Sequence, residues 1–256
     1  MNKLYDSHVH INLTQYDENR DRIINTCKDK LDFMVNIGID EKSSEKSISY
    51  SYKYDFIYAT VGIHPTNINE YSEKLEERLL KMGKEEKVVA IGEIGLDYHW
   101  MKDPKKKQKD IFRKQMDIAK KLNKPVVIHS RDAQDDTLKI LKEFKNEVTG
   151  IMHTYAGDID TMKILKEMGY YFSFSGPITF RSKRSDFTRK VVRNTPVERI
   201  LIETDSPFLS PEPMRGKVNI PTNVEFVLEK IAEVKNMKKD KTLDIVRENA
   251  RKILGI

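Results

Sequence analysis

Two histidines near the amino terminus could begin a metal site. His8 and His10 lie two residues apart in the segment KLYDSHVH, residues 3–10. Because side chains alternate faces along a strand, both imidazoles point the same way. A metal that does chemistry needs three or more protein ligands and an open position for water. The sequence must therefore supply further ligands elsewhere, or the pair is an ordinary edge feature of a strand.

Further ligand-type residues follow short apolar segments along the chain. Glu93 follows VVAIG, His129 follows PVVI, His153 follows TGIM, Asp205 follows ILIET, and His64 follows TVGI. Any single histidine of this kind is more often satisfied by a loop carbonyl than by a metal. Five of the six histidines in the chain occupy such positions, however. The set favours a metal site.

Four imidazoles and two carboxylates exceed the three protein ligands that a catalytic zinc usually takes. We therefore predict two divalent ions, with Glu93 as the bridging carboxylate. Two ions about 3.5–4 Å apart can hold the attacking and leaving oxygens of an in-line displacement, and can lower the pKa of water from about 15.7 to about 7. The prediction is a hydrolase in which Asp205 also accepts the proton of water. Imidazole-rich ligation favours zinc or manganese, and magnesium stays open.

The elements that must position these residues alternate regularly. Short apolar runs rich in β-branched and aromatic residues predict eight strands, at 3–9, 32–38, 56–62, 87–92, 125–129, 149–153, 170–175 and 199–203. Amphipathic segments predict helices at 18–30, 42–52, 70–83, 105–123, 133–145, 158–168, 186–194, 221–236 and 239–254. We predict an α/β fold, a (β/α)8 TIM-type barrel whose single domain spans 1–256. A doubly wound open sheet is the alternative, although its usual phosphate loops, GxGxxG and GxxxxGK[ST], are absent.

Composition sets the class of protein. The chain is 34% charged and 38% hydrophobic, and no apolar run approaches the roughly 20 residues of a membrane helix. The start of the chain lacks a secretory signal pattern, and the one cysteine, Cys27, fits a reducing cytoplasm. The net charge of +6 leans slightly towards a polyanionic partner. The lysine-rich run 102–109 is more typical of a solvated loop that enters a helix at Pro104.

Ordered motifs give a resemblance that covers most of the chain. The sequence resembles the TatD family of metal-dependent deoxyribonucleases, within the amidohydrolase superfamily. The matching blocks are DSHVH (6–10), GIHP (62–65), IGEIGLDY (91–98), PVVIHSRDA (125–133), HTYAG (153–157), FSFSGPITF (172–180), ETDSPFLSP (203–211) and RGKVNIP (215–221). Two departures are Val9, where the family commonly has cysteine, and the HTYAG segment, where it usually has His-Cys-Phe-Ser/Thr-Gly.

The resemblance implies a ligand set and an activity. One ion would take His8, His10 and Asp205, the other His129 and His153, with Glu93 shared. The implied activity removes nucleotides from DNA, typically 3′ to 5′ on single strands, with links to DNA repair. We expect a cytoplasmic monomer with DNA as its substrate and no membrane partner.

Several residues are candidates for binding a substrate. His64 could donate to a phosphate or anchor its loop, and Arg131 could clamp a phosphate or pair with Asp132 or Asp135. Tyr98, like Trp100, could stack a base or pack over its own loop. Arg215 in the proline-rich loop 206–221 could meet a nucleic-acid backbone or water. A basic cluster that could guide a nucleic acid, or form a solvated helix face, comprises Arg181, Lys183, Arg184, Arg189 and Lys190.

The surroundings of Glu93 allow two smaller predictions. Gly92 and Gly95 flank it and predict a tight turn after the fourth strand. Asp97 is predicted to support a ligand or a turn rather than to ligate a metal.

Three other functions compete with a DNA nuclease. A hydrolase of small esters, amides or phosphoesters could use the same ligands, and an aminoacyl-tRNA deacylase would meet RNA but cut an ester. A binding protein without catalysis is least favoured, because binding alone does not need six converging ligands. Salt dependence separates the nuclease from the small-molecule hydrolase, because single-strand binding weakens with a log-log slope of about −0.7 per phosphate.

Overall fold

The structure is a computed structural model that describes residues 3–100 and 104–256. Within this part of the chain there are eight strands, numbered in chain order. They are β1 Leu4–Val9, β2 Leu31–Asn36, β3 Ile57–Val61, β4 Val88–Asp97, β5 Val126–Arg131, β6 Gly150–Met152, β7 Tyr171–Phe174 and β8 Ile200–Ile202.

Helices follow the strands as the sequence predicts. They are α1 Arg20–Lys30, α2 Glu41–Lys53, α3 Glu73–Met82, α4 Lys105–Leu122, α5 Gln134–Glu143, α6 Ile159–Glu167, α7 Lys183–Asn194, α8 Val224–Lys235 and α9 Lys239–Leu254. Except at the end of β4, each predicted helix and strand differs from the observed one by at most three residues at either end. Both periodicities in the sequence are therefore confirmed.

The sheet is a barrel in which all neighbouring strands are parallel. The strand order is β1 to β8 without interruption, whereas a doubly wound sheet would reverse its order at a switch point. Val9 and Ser206 form a parallel bridge between the first strand and the segment after β8, and the His10 backbone N–H donates to the Ser206 carbonyl at 2.8 Å. The prediction of a (β/α)8 barrel is confirmed.

Burial on both faces explains the composition of the strands. All ten residues of β4 are buried, as expected for a parallel sheet that encloses side chains on one face and meets helices on the other. On α4, for example, Phe112, Met116 and Ala119 are fully buried. Their spacing of four and three residues places them in one stripe against the barrel.

Strand β4 continues beyond the point where the sequence predicts a turn. Its pairing with β5 is irregular between Ile91 and Ile94, a bulge-like break that changes the direction of the intervening side chains. At Gly95, where φ is +140°, a Cβ atom would lie 2.0 Å from the carbonyl oxygen of His129. The prediction of a tight turn at Gly92 and Gly95 is wrong, because these glycines allow β4 and β5 to approach closely instead.

The long segment after β8 is ordered. The Asn219 side-chain amide donates to the carbonyls of Thr204 at 3.2 Å and Phe208 at 2.8 Å. These bonds tie the end of the segment back to its start, next to β8.

Two expectations from composition concern other parts of the chain. Among residues 3–100 and 104–256, no helix combines the length and apolar character needed to cross a membrane. Of the lysine-rich run, residues 102 and 103 lie outside the described residues, and Pro104 precedes the first residue of α4.

Candidate metal centre

The six predicted ligands converge at the carboxyl end of the barrel. They reach it from five strands: His8 in β1 and His10 just after it, Glu93 in β4, His129 in β5, His153 after β6 and Asp205 after β8. The carboxyl ends of the strands form the face where barrels of this type carry their active sites. The structure thus brings together all six residues, and their role as ligands stays a prediction.

One group lies at the seam between β1 and β8. The Nε2 atoms of His8 and His10 are 3.2 Å apart, and they lie 3.5 and 3.3 Å from Oδ1 of Asp205. Asp205 has φ of +56°, and its backbone N–H donates to the His8 carbonyl at 3.0 Å. These three side chains form one set of atoms close enough to hold an ion.

Glu93 lies between this group and the other histidines. Its Oε2 is 3.4 Å from Nε2 of His8, and its Oε1 is 2.9 Å from Nδ1 of His129. The same Oε1 lies 3.7 Å from Nε2 of His153 and 3.5 Å from Nε2 of His64. The two oxygens of one carboxylate therefore face two different sets of imidazoles.

The atoms around Glu93 form two further groups that could hold a metal. One comprises His8, Glu93 and His153, and the other comprises His64, Glu93 and His129. His129 and His153, which the resemblance assigns to one ion, do not fall in a common group, and their ring centroids are 6.3 Å apart. His64 is therefore closer to the cluster than its sequence context alone suggests.

Two carboxylates outside the cluster orient its histidines. Asp97 faces Nε2 of His129 at 2.9 Å, as expected for a supporting residue, and leaves Nδ1 directed at Glu93. Glu203 faces Nδ1 of His153 at 2.8 Å and leaves Nε2 directed at the cluster. Such outer partners fix the imidazole tautomer and raise its basicity as a ligand.

The sequence reasoning missed Glu203. Its Oε1 accepts hydrogen bonds from the backbone N–H and the hydroxyl of Thr154, both at 2.7 Å, and its Oε2 accepts from Ser173 at 2.6 Å. The available signal was an acid directly after β8 and two residues before Asp205.

Asp6 was missed as well. This buried carboxylate accepts hydrogen bonds from the backbone N–H of His8 at 3.1 Å and of Thr204 at 3.0 Å, and from the Thr204 hydroxyl at 2.5 Å. It joins the two sides of the seam. Burial raises the pKa of Asp6 well above its usual value, although these hydrogen bonds oppose the shift.

Electrostatics in the cluster favour charged carboxylates. Burial would raise the pKa of Glu203, but His153 lowers it to about 2. Burial also opposes ionisation of Glu93, but the neighbouring His64 and His153, together with hydrogen bonds from His129 and His8, hold the Glu93 pKa well below its usual value. Burial would lower the pKa of His153, yet Glu203, Glu93 and Asp205 raise it to about 10. In a metal-free cluster His153 therefore carries a proton at neutral pH.

His64 differs from the other histidines in its hydrogen bonds. The Thr66 backbone N–H donates to its Nδ1 at 3.2 Å, and the Thr66 hydroxyl lies 2.7 Å from the same atom. Burial, with His129 nearby, lowers the His64 pKa to about 3. Because a backbone N–H can only donate, Nδ1 is the acceptor, and the neutral ring carries its proton on Nε2, towards Glu93.

The predicted substrate-binding residues have varied surroundings. The guanidinium of Arg131 lies 5.6 Å from the ring centroid of Trp100, rather than against Asp132 or Asp135. The Tyr98 hydroxyl donates to Asp136 of α5 at 2.6 Å, and the Lys105 ammonium lies 4.3 Å from the centroid of its ring.

The remaining basic candidates lie towards solvent. Arg215 lies over the ring of Phe180 at 4.4 Å and 3.6 Å from Glu212. In the basic cluster, Arg189 donates to the carbonyls of Ile178 at 2.6 Å and Phe180 at 3.0 Å, which is a structural role. The other four members of that cluster are exposed.

The donor set fits a divalent cation. Imidazole nitrogens and carboxylate oxygens face one another at 2.9–4.0 Å in a buried cluster, which is the ligand chemistry of zinc and manganese. The chain presents these donors from rigid strands, with outer carboxylates that hold two of the rings.

Comparisons with known proteins agree with this architecture. The model of the family described as TatD related DNase matches residues 5–255. The metal-dependent hydrolase YabD of Bacillus subtilis (strain 168) is 42% identical over 255 residues, which are 99% of each chain. The metal-dependent hydrolase YcfH of Escherichia coli (strain K12) is 37% identical over 203 residues, which are 79% of this chain and 75% of YcfH.

A solved structure is similar over the whole fold. The crystal structure of YJJV, a TatD homologue from Escherichia coli K12, superposes with a TM-score of 0.91 at 23% identity, covering 99% of this chain and 98% of that one. The likeness supports the barrel. With the family match and the hydrolase relatives, it leads to one conclusion: this chain belongs to the TatD family and is a metal-dependent hydrolase.

Proposed function

We propose that this chain is a divalent-metal-dependent deoxyribonuclease that uses two ions to hydrolyse phosphodiester bonds, acting 3′ to 5′ on single-stranded DNA. The observation that carries the proposal is the position of Glu93. Its Oε2 faces His8 at 3.4 Å while its Oε1 faces His129 at 2.9 Å. A carboxylate shared in this way suits a bridge between two cations.

The ligand assignment is the one that the family resemblance implies. His8, His10 and Asp205 would hold one ion, and His129 with His153 would hold the other. His64 is left out because the Thr66 N–H occupies Nδ1 and leaves a proton on Nε2. Bound ions would activate a water molecule and stabilise the charge that develops on the phosphoryl group.

The protein's own residues then orient the reactants and move a proton. Asp205 is a partly exposed carboxylate 3.3 Å from His10, so it can accept a proton from the attacking water. His64 presents an N–H on the opposite side of Glu93 and can donate a hydrogen bond to a phosphate oxygen. Asp97 and Glu203 keep the rings of His129 and His153 in place during this step.

Two facts support DNA as the substrate. The matching family model is described as TatD related DNase, and the chain carries a net charge of +6. Positive charge attracts a polyanion over long range and makes its binding salt-dependent.

The test is digestion of 5′-end-labelled single-stranded DNA with defined divalent metals. Wild type should give a ladder of progressively shorter labelled fragments, which indicates 3′ to 5′ removal. Glu93→Gln should lose most of this activity while its thermal unfolding stays cooperative. Glu77→Gln, an exposed change on α3, is the matched control and should cleave normally. Cleavage by purified Glu93→Gln at the wild-type rate would contradict the assignment of the bridge.

The salt dependence distinguishes DNA from a small substrate. Binding of a single strand should weaken with a log-log slope of about −0.7 for each phosphate contacted. A small neutral ester or lactone that is turned over without this dependence, together with inactivity on DNA, would favour a small-molecule hydrolase instead.

A further inference from the structure

Two large aromatic side chains are exposed on opposite sides of the ligand cluster. Trp100 is 58% exposed and Phe208 is 45% exposed. Trp100 follows β4 and Phe208 follows β8, and these strands lie four places apart in an eight-stranded barrel. Both segments leave the carboxyl ends of their strands, at the face that carries the cluster. The segments that carry the two rings therefore leave the barrel on opposite sides of this face.

Trp100 is positioned by a residue that also positions a candidate ligand. Its backbone N–H donates to Oδ1 of Asp97 at 2.8 Å, while Oδ2 of the same carboxylate faces His129 at 2.9 Å. The guanidinium of Arg131 lies 5.6 Å from the indole centroid. The apolar indole of Trp100 and the positively charged guanidinium of Arg131 thus lie together near the candidate ligand His129.

Phe208 is tied to the other side of the cluster. Its backbone N–H donates to the carbonyl of Asp205 at 2.9 Å, and its ring centroid lies 6.0 Å from that of His10. Its carbonyl accepts from the Asn219 side chain at 2.8 Å. The ring is therefore exposed on a backbone that hydrogen bonds hold firmly.

We propose that Trp100 and Phe208 are stacking platforms for nucleobases on either side of the cleaved phosphate, so that the substrate must have unpaired bases at the cleavage point. The inference rests on the proposed nuclease function and assigns the residues that would bind the bases of its single-stranded substrate. An aromatic ring stacks on any base, because every base has a π-face. In a duplex the bases are stacked on one another and paired, so engaging both platforms there would require unstacking.

The first experiment reads Trp100 directly, because it is the only tryptophan in the chain. The metal-free wild-type protein in EDTA is titrated with a short oligothymidylate, and with an abasic strand that has the same number of phosphates. Oligothymidylate should quench the tryptophan fluorescence and the abasic strand should not. Equal quenching by both strands, or no change with either, would overturn the proposal for Trp100.

The second experiment tests Phe208 by kinetics. For wild type, kcat/KM on the thymidylate strand should exceed that on a strand with abasic sites flanking the cleaved bond by about 5- to 150-fold, the equivalent of about 1–3 kcal/mol. Phe208→Ala should bring this ratio towards one, and Phe208→Tyr should restore it. Phe187→Ala, which removes an exposed phenylalanine from α7, is the matched control and should keep the wild-type ratio. An unchanged ratio in Phe208→Ala would overturn the role of this ring.

The two experiments separate failure of this inference from failure of the proposed function. Base-dependent quenching without cleavage under any metal would support the platform at Trp100 and contradict the nuclease. Cleavage of DNA with no discrimination against abasic strands would support the nuclease and contradict the platforms. Equal rates on single-stranded and fully paired ends would likewise contradict the platforms.

Discussion

The imidazoles on the two sides of Glu93 are held in different ways. On one side, the outer nitrogen of His129 faces Asp97 at 2.9 Å and that of His153 faces Glu203 at 2.8 Å. Each acid fixes the ring orientation and favours the protonated imidazole when no metal competes. On this side the geometry is set by electrostatics between buried side chains.

On the seam side the geometry is set by the backbone. The Nδ1 atoms of His8 and His10 are buried and, within the described residues, have no hydrogen-bond partner. Their rings are placed by β1 and by the hydrogen bonds that link β1 to the segment after β8, such as Asp205 N–H to the His8 carbonyl at 3.0 Å. Burial, with His153 nearby, lowers the pKa of His8, so this ring is neutral at physiological pH. We infer that His8 is ready for a cation, whereas His153 on the other side must first lose a proton.

The largest expected effect comes from the acid of the seam side. Asp205→Asn keeps the size of the side chain but removes its charge and its capacity to accept a proton. We expect kcat/KM on DNA to fall by about 10²- to 10⁴-fold at saturating metal. Asp160→Asn, at an exposed position of α6, is the control and should retain wild-type activity. A wild-type rate for Asp205→Asn would remove Asp205 from the reaction.

The outer acids should act on metal affinity. Glu203→Gln keeps an acceptor oxygen but loses the charge opposite His153, so the affinity for divalent metal should fall by about 10- to 100-fold. Activity should return when the metal concentration is raised. Metal titrations of this variant are compared with Glu198→Gln, an exposed change just before β8. Equal metal affinities in the two variants would contradict a role for Glu203 in holding His153 for metal binding.

The pH dependence of metal binding sharpens the comparison. Because Glu203, Glu93 and Asp205 raise the pKa of His153 to about 10, an ion there must displace a proton. Apparent affinity on this side should rise about tenfold per pH unit up to that pKa. Calorimetric titrations in buffers of different ionisation enthalpy count the protons released. Glu203→Gln should release fewer, and an unchanged proton count would contradict the assignment.

The raised pKa of His153 also affects the stability of the metal-free protein, which should fall, whereas metal affinity rises, as the pH increases. A histidine whose pKa rises on folding stabilises the folded state most fully below its unfolded value of 6.5. That contribution is lost as pH rises towards about 10, and thermal unfolding in EDTA should show the loss.

The smallest expected effect concerns the seam itself. Thr204→Val removes the hydroxyl that donates to Asp6 at 2.5 Å and accepts from the Ser206 N–H at 3.1 Å. Leaving buried polar groups without a partner should reduce the free energy of unfolding by about 1–3 kcal/mol, as measured by urea denaturation. Metal affinity should change little, because the backbone hydrogen bonds of the seam remain. A loss of affinity as large as that of Glu203→Gln would show that side chains order this side too.

The sequence predicted the barrel because strand and helix periods are local properties. Runs such as PVVIH predict a buried strand followed by a polar residue. Parallel strand order then brings the carboxyl ends of strands that are distant in sequence to one face of the barrel. It failed at β4, where Gly92 and Gly95 resemble turn residues but serve a close approach of β4 to β5. A glycine permits both a tight turn and a close approach of two strands, and the sequence alone does not distinguish them.

The finer contacts of the site depend on three-dimensional packing. Nothing in the spacing indicates which ring nitrogen of His153 meets an acid, so Glu203 was missed although it lies two residues before Asp205 in ETD. The contact of Arg131 with the ring of Trp100 was not foreseen, and its role towards a phosphate stays a prediction. Such side-chain contacts join segments that follow different strands, so they cannot be predicted from the local sequence.

The central claim is that Glu93 lies between two cations. The most direct measurement is a crystal structure of manganese-soaked protein, with anomalous scattering used to place the ions. We predict two peaks about 3.5–4 Å apart, one beside His8, His10 and Asp205 and one beside His129 and His153. A single peak at full occupancy, or a peak ligated by His64 in place of His153, would contradict the account.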